Sequence, residues 1–171
     1  MILLDRKTLI QKRNQIQFSV REEKEKAIVE ALKPFLKGNI GLYVPIKGEV
    51  DVFQPFKRLS IYLPVVTSDT NMEFIKYDDN LQKGFFGILE PMGTFVDKKV
   101  LDVIVIPLVG FNNTIRMGYG KGYYDRYLKD FYGLKIGVAF DIQEDLSILR
   151  KEYDIEMDMI ITETRRILKC V

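Results

Sequence analysis

The sequence predicts an α/β protein: a single-domain three-layer α/β/α sandwich with a mainly parallel central sheet. Short apolar runs alternate along the chain with helical patterns, the order that puts helices on both faces of a sheet. The run LDVIVIPLVGF at 101–111 is apolar without alternation, as a strand buried on both faces requires. The 171 residues carry no internal repeat, low-complexity tract or linker-like stretch, so one domain over 1–171 is expected.

A first helix is expected from Asp5, with Leu9, Ile10 and Ile16 set among Arg6, Lys7, Lys12 and Arg13. Ser19 followed by Glu22 has the form of a capping box for a second helix, through Ala27, Ile28, Ala31 and Leu32 to Phe35, with Gly38 as its stop. NIGLYVP (39–45) and LSIYLPVV (59–66) read as strands, and VDVFQPFKRL between them as the crossover. MEFIKY (72–77) alternates like a half-exposed strand, and GFFGILEPMG (84–93) is a turn-rich excursion. After the 101–111 strand come a loop at 118–122, a helix at 123–131, a strand at LKIGVAF (134–140) and a last strand at MDMIITE (157–163).

Composition narrows the function. Lys and Arg number 26 against 24 Asp and Glu, a net charge of +2 that argues against nucleic acid as a partner and leaves room for one basic pocket. No run approaches the roughly 20 apolar residues of a membrane span, and Met1 to Leu4 is too short for a signal sequence, so no membrane partner is expected. The single Cys170 excludes an internal disulfide and suits a reducing cytoplasm. The chain has no histidine, which removes the commonest general base and zinc ligand. Chemistry must run on carboxylates, Lys, Arg, Tyr and backbone amides.

The stretch RMGYGKGYYDRYL (116–128) is the strongest local signal, and it follows a strand where open α/β sheets bind ligands. Gly118, Gly120 and Gly122 lack Cβ atoms at alternate positions, so a ligand can reach the backbone amides. Arg116 and Lys121 add full charges, and a helix beginning after Gly122 adds its dipole. Asp125, one turn into that helix, is placed to take a Mg²⁺ that bridges phosphate oxygens, which makes ATP with Mg²⁺ the expected ligand pair. The spacing fits neither a Walker loop, since Gly122 follows Lys121, nor a dinucleotide fingerprint. Taken as a bare G-x-G-x-G, such a stretch is more often a solvated strand-to-helix turn, and a basic, tyrosine-rich loop also suits RNA.

IPLVGFNNTIRMGYGKGYYDRYL (106–128) resembles the signature of the 5-formyltetrahydrofolate cyclo-ligases, and GLYVPIKGEVD (41–51), GILEP (87–91), VAFDIQ and YDIEMDMIITE resemble further segments of that family. The resemblance covers nearly the whole chain and implies a three-layer α/β/α sandwich. It implies closure of 5-formyltetrahydrofolate to 5,10-methenyltetrahydrofolate at the expense of ATP, with Mg²⁺ required, in a cytoplasmic monomer or weak dimer. Arg116, Gly118, Tyr119, Gly120, Lys121, Gly122, Tyr123 and Tyr124 would then hold the nucleotide, with Lys121, Arg116 and Tyr123 at the transferring phosphoryl group. Asp125 and Asp154 would bind the metal. Val44 and Glu49 would meet the folate, with Tyr119 and Tyr123 beside it. The family's N-terminal Lys-x-x-x-Arg pattern, which reaches the nucleotide, falls on Ile2 and Arg6, so Arg6 would contact ATP, while the lysine is missing here and Lys7 is the candidate replacement for that contact. Asn112 and Tyr153 also depart, standing where the family commonly has Asp and His.

Overall fold

The computed structural model describes residues 5–171. Helix α1 (Arg6–Asn14) opens at Asp5, whose carboxylate accepts from the Thr8 amide at 2.7 Å, the usual N-cap bond. Helix α2 (Phe18–Leu32) starts from Gln17, so the expected Ser19–Glu22 capping box does not form, because Ser19 already lies inside the first turn. That early start follows from packing: Arg21 reaches back to the Arg13 carbonyl at 3.2 Å and sets the first turn of α2 against the end of α1. A 3₁₀ turn carrying Pro34 (Lys33–Phe35) then ends the helical segment.

Strand β1 (Ile40–Gly41), helix α3 (Phe53–Phe56) and β2 (Ile61–Val66) form the first crossover unit. Then follow β3 (Met72–Lys76), the small hairpin of β4 (Leu81–Lys83) and β5 (Leu89–Pro91), β6 (Phe95–Val96) and β7 (Val103–Pro107). A second hairpin, β8 (Gly110–Asn112) with β9 (Ile115–Met117), precedes helix α4 (Tyr123–Leu128), and β10 (Leu134–Val138), β11 (Met159–Ile161) and β12 (Arg166–Leu168) complete the chain.

Eight strands make the main sheet in the order β12-β11-β10-β7-β1-β2-β3-β6. The run from β11 to β2 is parallel, whereas β12, β3 and β6 join antiparallel at the two sides. Side chains alternate across it. Ile61, Leu63, Val103, Val105, Ile136 and Val138 meet Ile28 and Leu32 of α2 and Phe53 and Phe56 of α3. Tyr62, Ile104, Ile106 and Ile160 point the other way, onto Tyr127 and Leu128 of α4. The three-layer sandwich expected from the sequence is therefore the observed architecture.

Several boundaries differ from expectation. The 101–111 run is two strands, because Pro107 has no N–H to continue the ladder and the chain turns back into the β8–β9 hairpin. That hairpin turns at Asn113, whose φ of 51° is a left-handed conformation asparagine tolerates. Helix α4 is shorter than the expected 123–131. Met159–Ile161 is followed by β12, so it is not the last strand; β12 and β6 span only three and two residues, too few for a periodic signal.

Candidate active site

From β1 the chain moves to β2 on one side, while β7 lies on β1's other side and leads to β10, so strand order reverses between β1 and β7. Ligand crevices of open α/β sheets form beyond the carboxyl ends of strands at such a reversal. The segments that emerge there are 42–49 after β1 and 108–122 after β7, the two stretches in which Glu49 and the glycine loop lie.

Glu49 is presented by a tight turn. Lys47 (φ 49°) and Gly48 (φ 78°) both take left-handed backbone, and the Glu49 Oε2 accepts from the Ile46 amide at 2.9 Å. The residue is 5% exposed. Burial pushes its carboxyl up to about 7, opposed by the Ile46 amide, the Arg13 charge, the facing Tyr119 hydroxyl and the Arg116 charge. Val44, in the same segment, is half-buried against the core under α2 and α3.

The glycine loop is held from outside by α1. Arg6 Nε donates to the Gly118 carbonyl at 2.7 Å, and the Arg6 guanidinium lies where a Cβ on Gly120 would contact it at 3.5 Å. Gly120 and Gly122 have φ of 99° and 72°, so the loop needs glycine at both for backbone reasons as well as for access. Gly122 is the residue before α4, and Arg126 of that helix donates to the Lys121 carbonyl at 2.7 Å. The Lys121 ammonium is exposed and sits 5.3 Å from the centre of the Phe86 ring.

Arg116 is carried by β9 of the hairpin. Its side chain is 6% exposed, with Nη1 donating to the Pro107 carbonyl at 3.1 Å and Nη2 3.7 Å from Asp125 Oδ2. Its Nε is buried and has no hydrogen-bond partner among the described residues. Burial lowers its pKa, and Asp125, Tyr124, Asp154 and Glu49 raise it. Tyr124 lies under the guanidinium, 5.3 Å from ring centre to Cζ, and burial and Glu49 push its phenol up. Tyr119 faces Glu49, and burial raises its phenol to about 12. Tyr123 points elsewhere, its hydroxyl donating to the Ser68 carbonyl at 3.2 Å.

Asp125 and Asp154 are the candidate magnesium ligands. Asp125 Oδ1 accepts from the Ile155 amide at 3.0 Å, which fixes the 154–155 backbone beside α4, and Asp154 Oδ2 accepts from the Lys151 amide at 2.8 Å. The other oxygen of Asp125 faces Arg116 Nη2 at 3.7 Å, so a cation there would share it with that guanidinium, whereas Asp154 Oδ1 has no hydrogen bond or ion pair among the described residues. No group of three or more acidic, His or Cys side chains fit to hold a metal occurs among the described residues. The donor set therefore suits an ion that takes one or two carboxylates and completes its shell with phosphate oxygens and water, and does not suit an all-protein cage.

Thus Arg6, Arg116, the glycine loop, Tyr119, Tyr124, Asp125 and Glu49 come together, with Asp154 within electrostatic reach. Lys7 is exposed on α1, and no hydrogen bond or ion pair joins it to the loop among the described residues; Ile2 lies outside those residues. Sequence reasoning missed Arg13, which is fully buried and donates to the carbonyls of Lys47 and Leu108 and to the Tyr119 hydroxyl. Its signal was present: Arg13 stands four residues after buried Leu9, on the same helical face. Gln143 was missed too, and its amide donates to Leu108 and Val109 carbonyls at 2.9 and 3.0 Å, bracing the chain as it leaves β7.

A doubly wound α/β fold with a basic glycine loop and a buried carboxylate at its switch point has the form of an α/β enzyme with its ligand crevice beyond the strand ends. The model of the 5-formyltetrahydrofolate cyclo-ligase family matches residues 4–163, and the chain belongs to that family of enzymes. The 5-formyltetrahydrofolate cyclo-ligase of Mycoplasma pneumoniae is 35% identical, with 92% of this chain and 96% of that protein covered. The Escherichia coli cyclo-ligase is 28% identical over 74% of this chain and 78% of its own length. Among solved structures, the 5,10-methenyltetrahydrofolate synthetase of Aquifex aeolicus superposes with a TM-score of 0.83 at 34% identity, covering 95% of this chain and 90% of that one. The Mycoplasma pneumoniae synthetase gives 0.75 at 31% identity, covering 92% and 96%.

Proposed function

We propose that this enzyme converts 5-formyltetrahydrofolate to 5,10-methenyltetrahydrofolate with ATP and Mg²⁺, releasing ADP and phosphate. The observation that carries this reading is the meeting of two unlike half-sites at the ends of β1 and β7. One is the buried acceptor Glu49, and the other is the glycine loop with its own Lys121, flanked by Arg6 of α1 and Arg116 of β9. Glu49 accepts hydrogen bonds from the pterin N–H groups, beside Val44 and Tyr119. The amides of Gly118 to Gly122, with Arg6, Arg116 and Lys121, take the phosphates.

An N-formyl group is an amide and a poor electrophile, so N10 cannot expel its oxygen unaided. Transfer of the terminal phosphoryl group to the formyl oxygen breaks its bond to ADP and leaves an N5-iminium phosphate. N10 attacks the formyl carbon and closes the five-membered ring. The C–O bond then breaks, phosphate departs, and loss of the N10 proton leaves the methenyl bridge. No side-chain nucleophile is required, which suits a chain without histidine. Lys121 is the exposed cation that meets the phosphoryl group, while Arg116 is the one held in a buried position on β9. Magnesium bound by Asp125 and Asp154 would supply charge neutralisation at the phosphate oxygens.

Formation of the methenyl product, followed by its absorbance with 5-formyltetrahydrofolate, ATP and Mg²⁺, tests the proposal. Omission of ATP or Mg²⁺ should abolish it. We also place the enzyme in the cytoplasm as a monomer or weak dimer; no helix among the described residues is long and apolar enough to cross a membrane.

A further inference from the structure

Arg13 is the least expected residue of the molecule: an arginine with no exposed surface, on a helix whose other charged residues are at least partly in solvent. A buried guanidinium is costly unless its donors are used. Here Nε donates to the Lys47 carbonyl at 2.9 Å, Nη1 to the Leu108 carbonyl at 2.9 Å, and Nη2 to the Tyr119 hydroxyl at 2.6 Å. These acceptors belong to three separate segments: the turn that presents Glu49, the exit from β7 and the glycine loop.

All three acceptors are neutral oxygens, so the charge of Arg13 is not spent on a carboxylate through them. It acts instead through Tyr119. Because Arg13 donates to the phenol oxygen, the hydroxyl proton is free to point onward, and the Glu49 carboxyl is what it faces. The ammonium of Lys47 lies 5.1 Å from the centre of the same ring, and Arg21 of α2 donates to the Glu49 carbonyl at 3.0 Å. The turn is thus gripped from α1 and α2 at once, and its two consecutive left-handed residues are held against relaxation.

Resting on the folate role of Glu49 given above, we propose that Arg13 is a positioning residue for substrate recognition: through the Tyr119 hydroxyl and the Lys47 carbonyl it holds Glu49 in place as a charged acceptor for the substrate's N–H groups. The ionisable groups that bear on Glu49 are Arg13 from α1, Tyr43 from the segment after β1, Arg116 from β9, Tyr119 from the glycine loop and Tyr124 from α4. Of these, Arg13 is the one cation that also bonds both to the Glu49 turn and to the facing hydroxyl.

The test has two readouts. The first needs no ligand: the Glu49 side-chain carboxyl is titrated by ¹³C NMR in wild type, Arg13→Gln and Tyr119→Phe. Loss of the nearby charge should move the midpoint up by about one pH unit in Arg13→Gln, and loss of the hydroxyl should move it the same way by less. Tyr119→Phe removes only an oxygen, so it stays informative if Arg13→Gln does not fold. A midpoint unmoved in every variant that folds would overturn the proposal. The second is a double-mutant cycle on 5-formyltetrahydrofolate affinity: Arg13→Gln should weaken binding about tenfold in wild type, the loss expected for a charge-assisted contact, and hardly at all in a Glu49→Gln background. Equal losses in both backgrounds would make Arg13 a scaffold residue and overturn the substrate role. If the wild type binds no 5-formyltetrahydrofolate at all, the folate reading fails and the substrate role fails with it. The NMR midpoints would then still show whether Arg13 holds Glu49.

Discussion

Arg6 Nε donates to the carbonyl of Gly118 at 2.7 Å, joining the first turn of α1 to a loop 112 residues further along the chain. The arginine that the family resemblance assigns to the nucleotide is therefore part of the loop's own scaffold, with its guanidinium beside Gly120. Its neighbour Lys7 is exposed, and no hydrogen bond or ion pair joins it to the site among the described residues.

That difference separates two adjacent cations. Arg6→Ala should raise the KM for ATP by about tenfold or more, the loss expected for a charge-assisted hydrogen bond. Lys7→Ala should leave it within about twofold, since a solvated surface charge is worth little. Steady-state kinetics at saturating folate would decide; equal effects would place Lys7 in the site or take Arg6 out of it.

Lys121→Ala should lower kcat by 10²–10³, the cost typical of removing a group that stabilises charge in the transition state, with little change in Tm. The side chain is exposed and lies against the exposed Phe86 ring, so the fold has little to lose. Activity within about tenfold of wild type would remove Lys121 from the phosphoryl-transfer step.

Asp125→Asn keeps an oxygen to accept from the Ile155 amide but removes the charge beside Arg116. The Mg²⁺ concentration for half-maximal activity should rise several-fold, and Tm should fall, because the buried Arg116 guanidinium loses its nearest opposite charge. An unchanged magnesium titration would move the metal to other ligands.

Glu49 makes stability depend on pH in a stated direction. Its carboxyl stands at about 7 against an ordinary 4.5, so below 4.5 it is neutral in both folded and unfolded chains and its contribution to stability is complete. Between 4.5 and 7 the unfolded chain ionises more readily than the folded one, and that contribution is lost as pH rises, by roughly 3 kcal/mol in all. Urea unfolding of wild type and Glu49→Gln across this window should show the variant losing less stability. Parallel curves would mean that the folded carboxyl is not raised. Folate affinity should run the other way, strengthening as pH rises through about 7 when Glu49 becomes a charged acceptor, with the slope lost in Glu49→Gln.

The oxygen of the formyl group carries the sharpest test of the chemistry. With ¹⁸O in the 5-formyl group, the label should appear in inorganic phosphate and not in water after a single turnover. Unlabelled phosphate would exclude the iminium phosphate and leave the loop as a nucleotide site uncoupled from ring closure.

The layering was legible in the sequence because hydrophobic period is local: Val103 to Ile106 are apolar at every position, as burial on both faces requires, whereas Met72 to Lys76, expected to be half-exposed, alternate only in part, since Ile75 is buried on the face opposite Phe74. The sequence by itself also determined the glycine loop and its charges, since those residues are contiguous. It did not show that Pro107 ends β7, which moves Arg116 onto a hairpin, or that Tyr119 and Tyr123, four residues apart, point to Glu49 and to Ser68. The partners of Arg13 came from long-range packing alone. A charged residue beside Leu9 on one helical face carries no local mark of its partners, because Lys47, Leu108 and Tyr119 lie 34, 95 and 106 residues away. The energy that justifies burying that charge comes entirely from those distant oxygens, brought together where β1 and β7 end side by side.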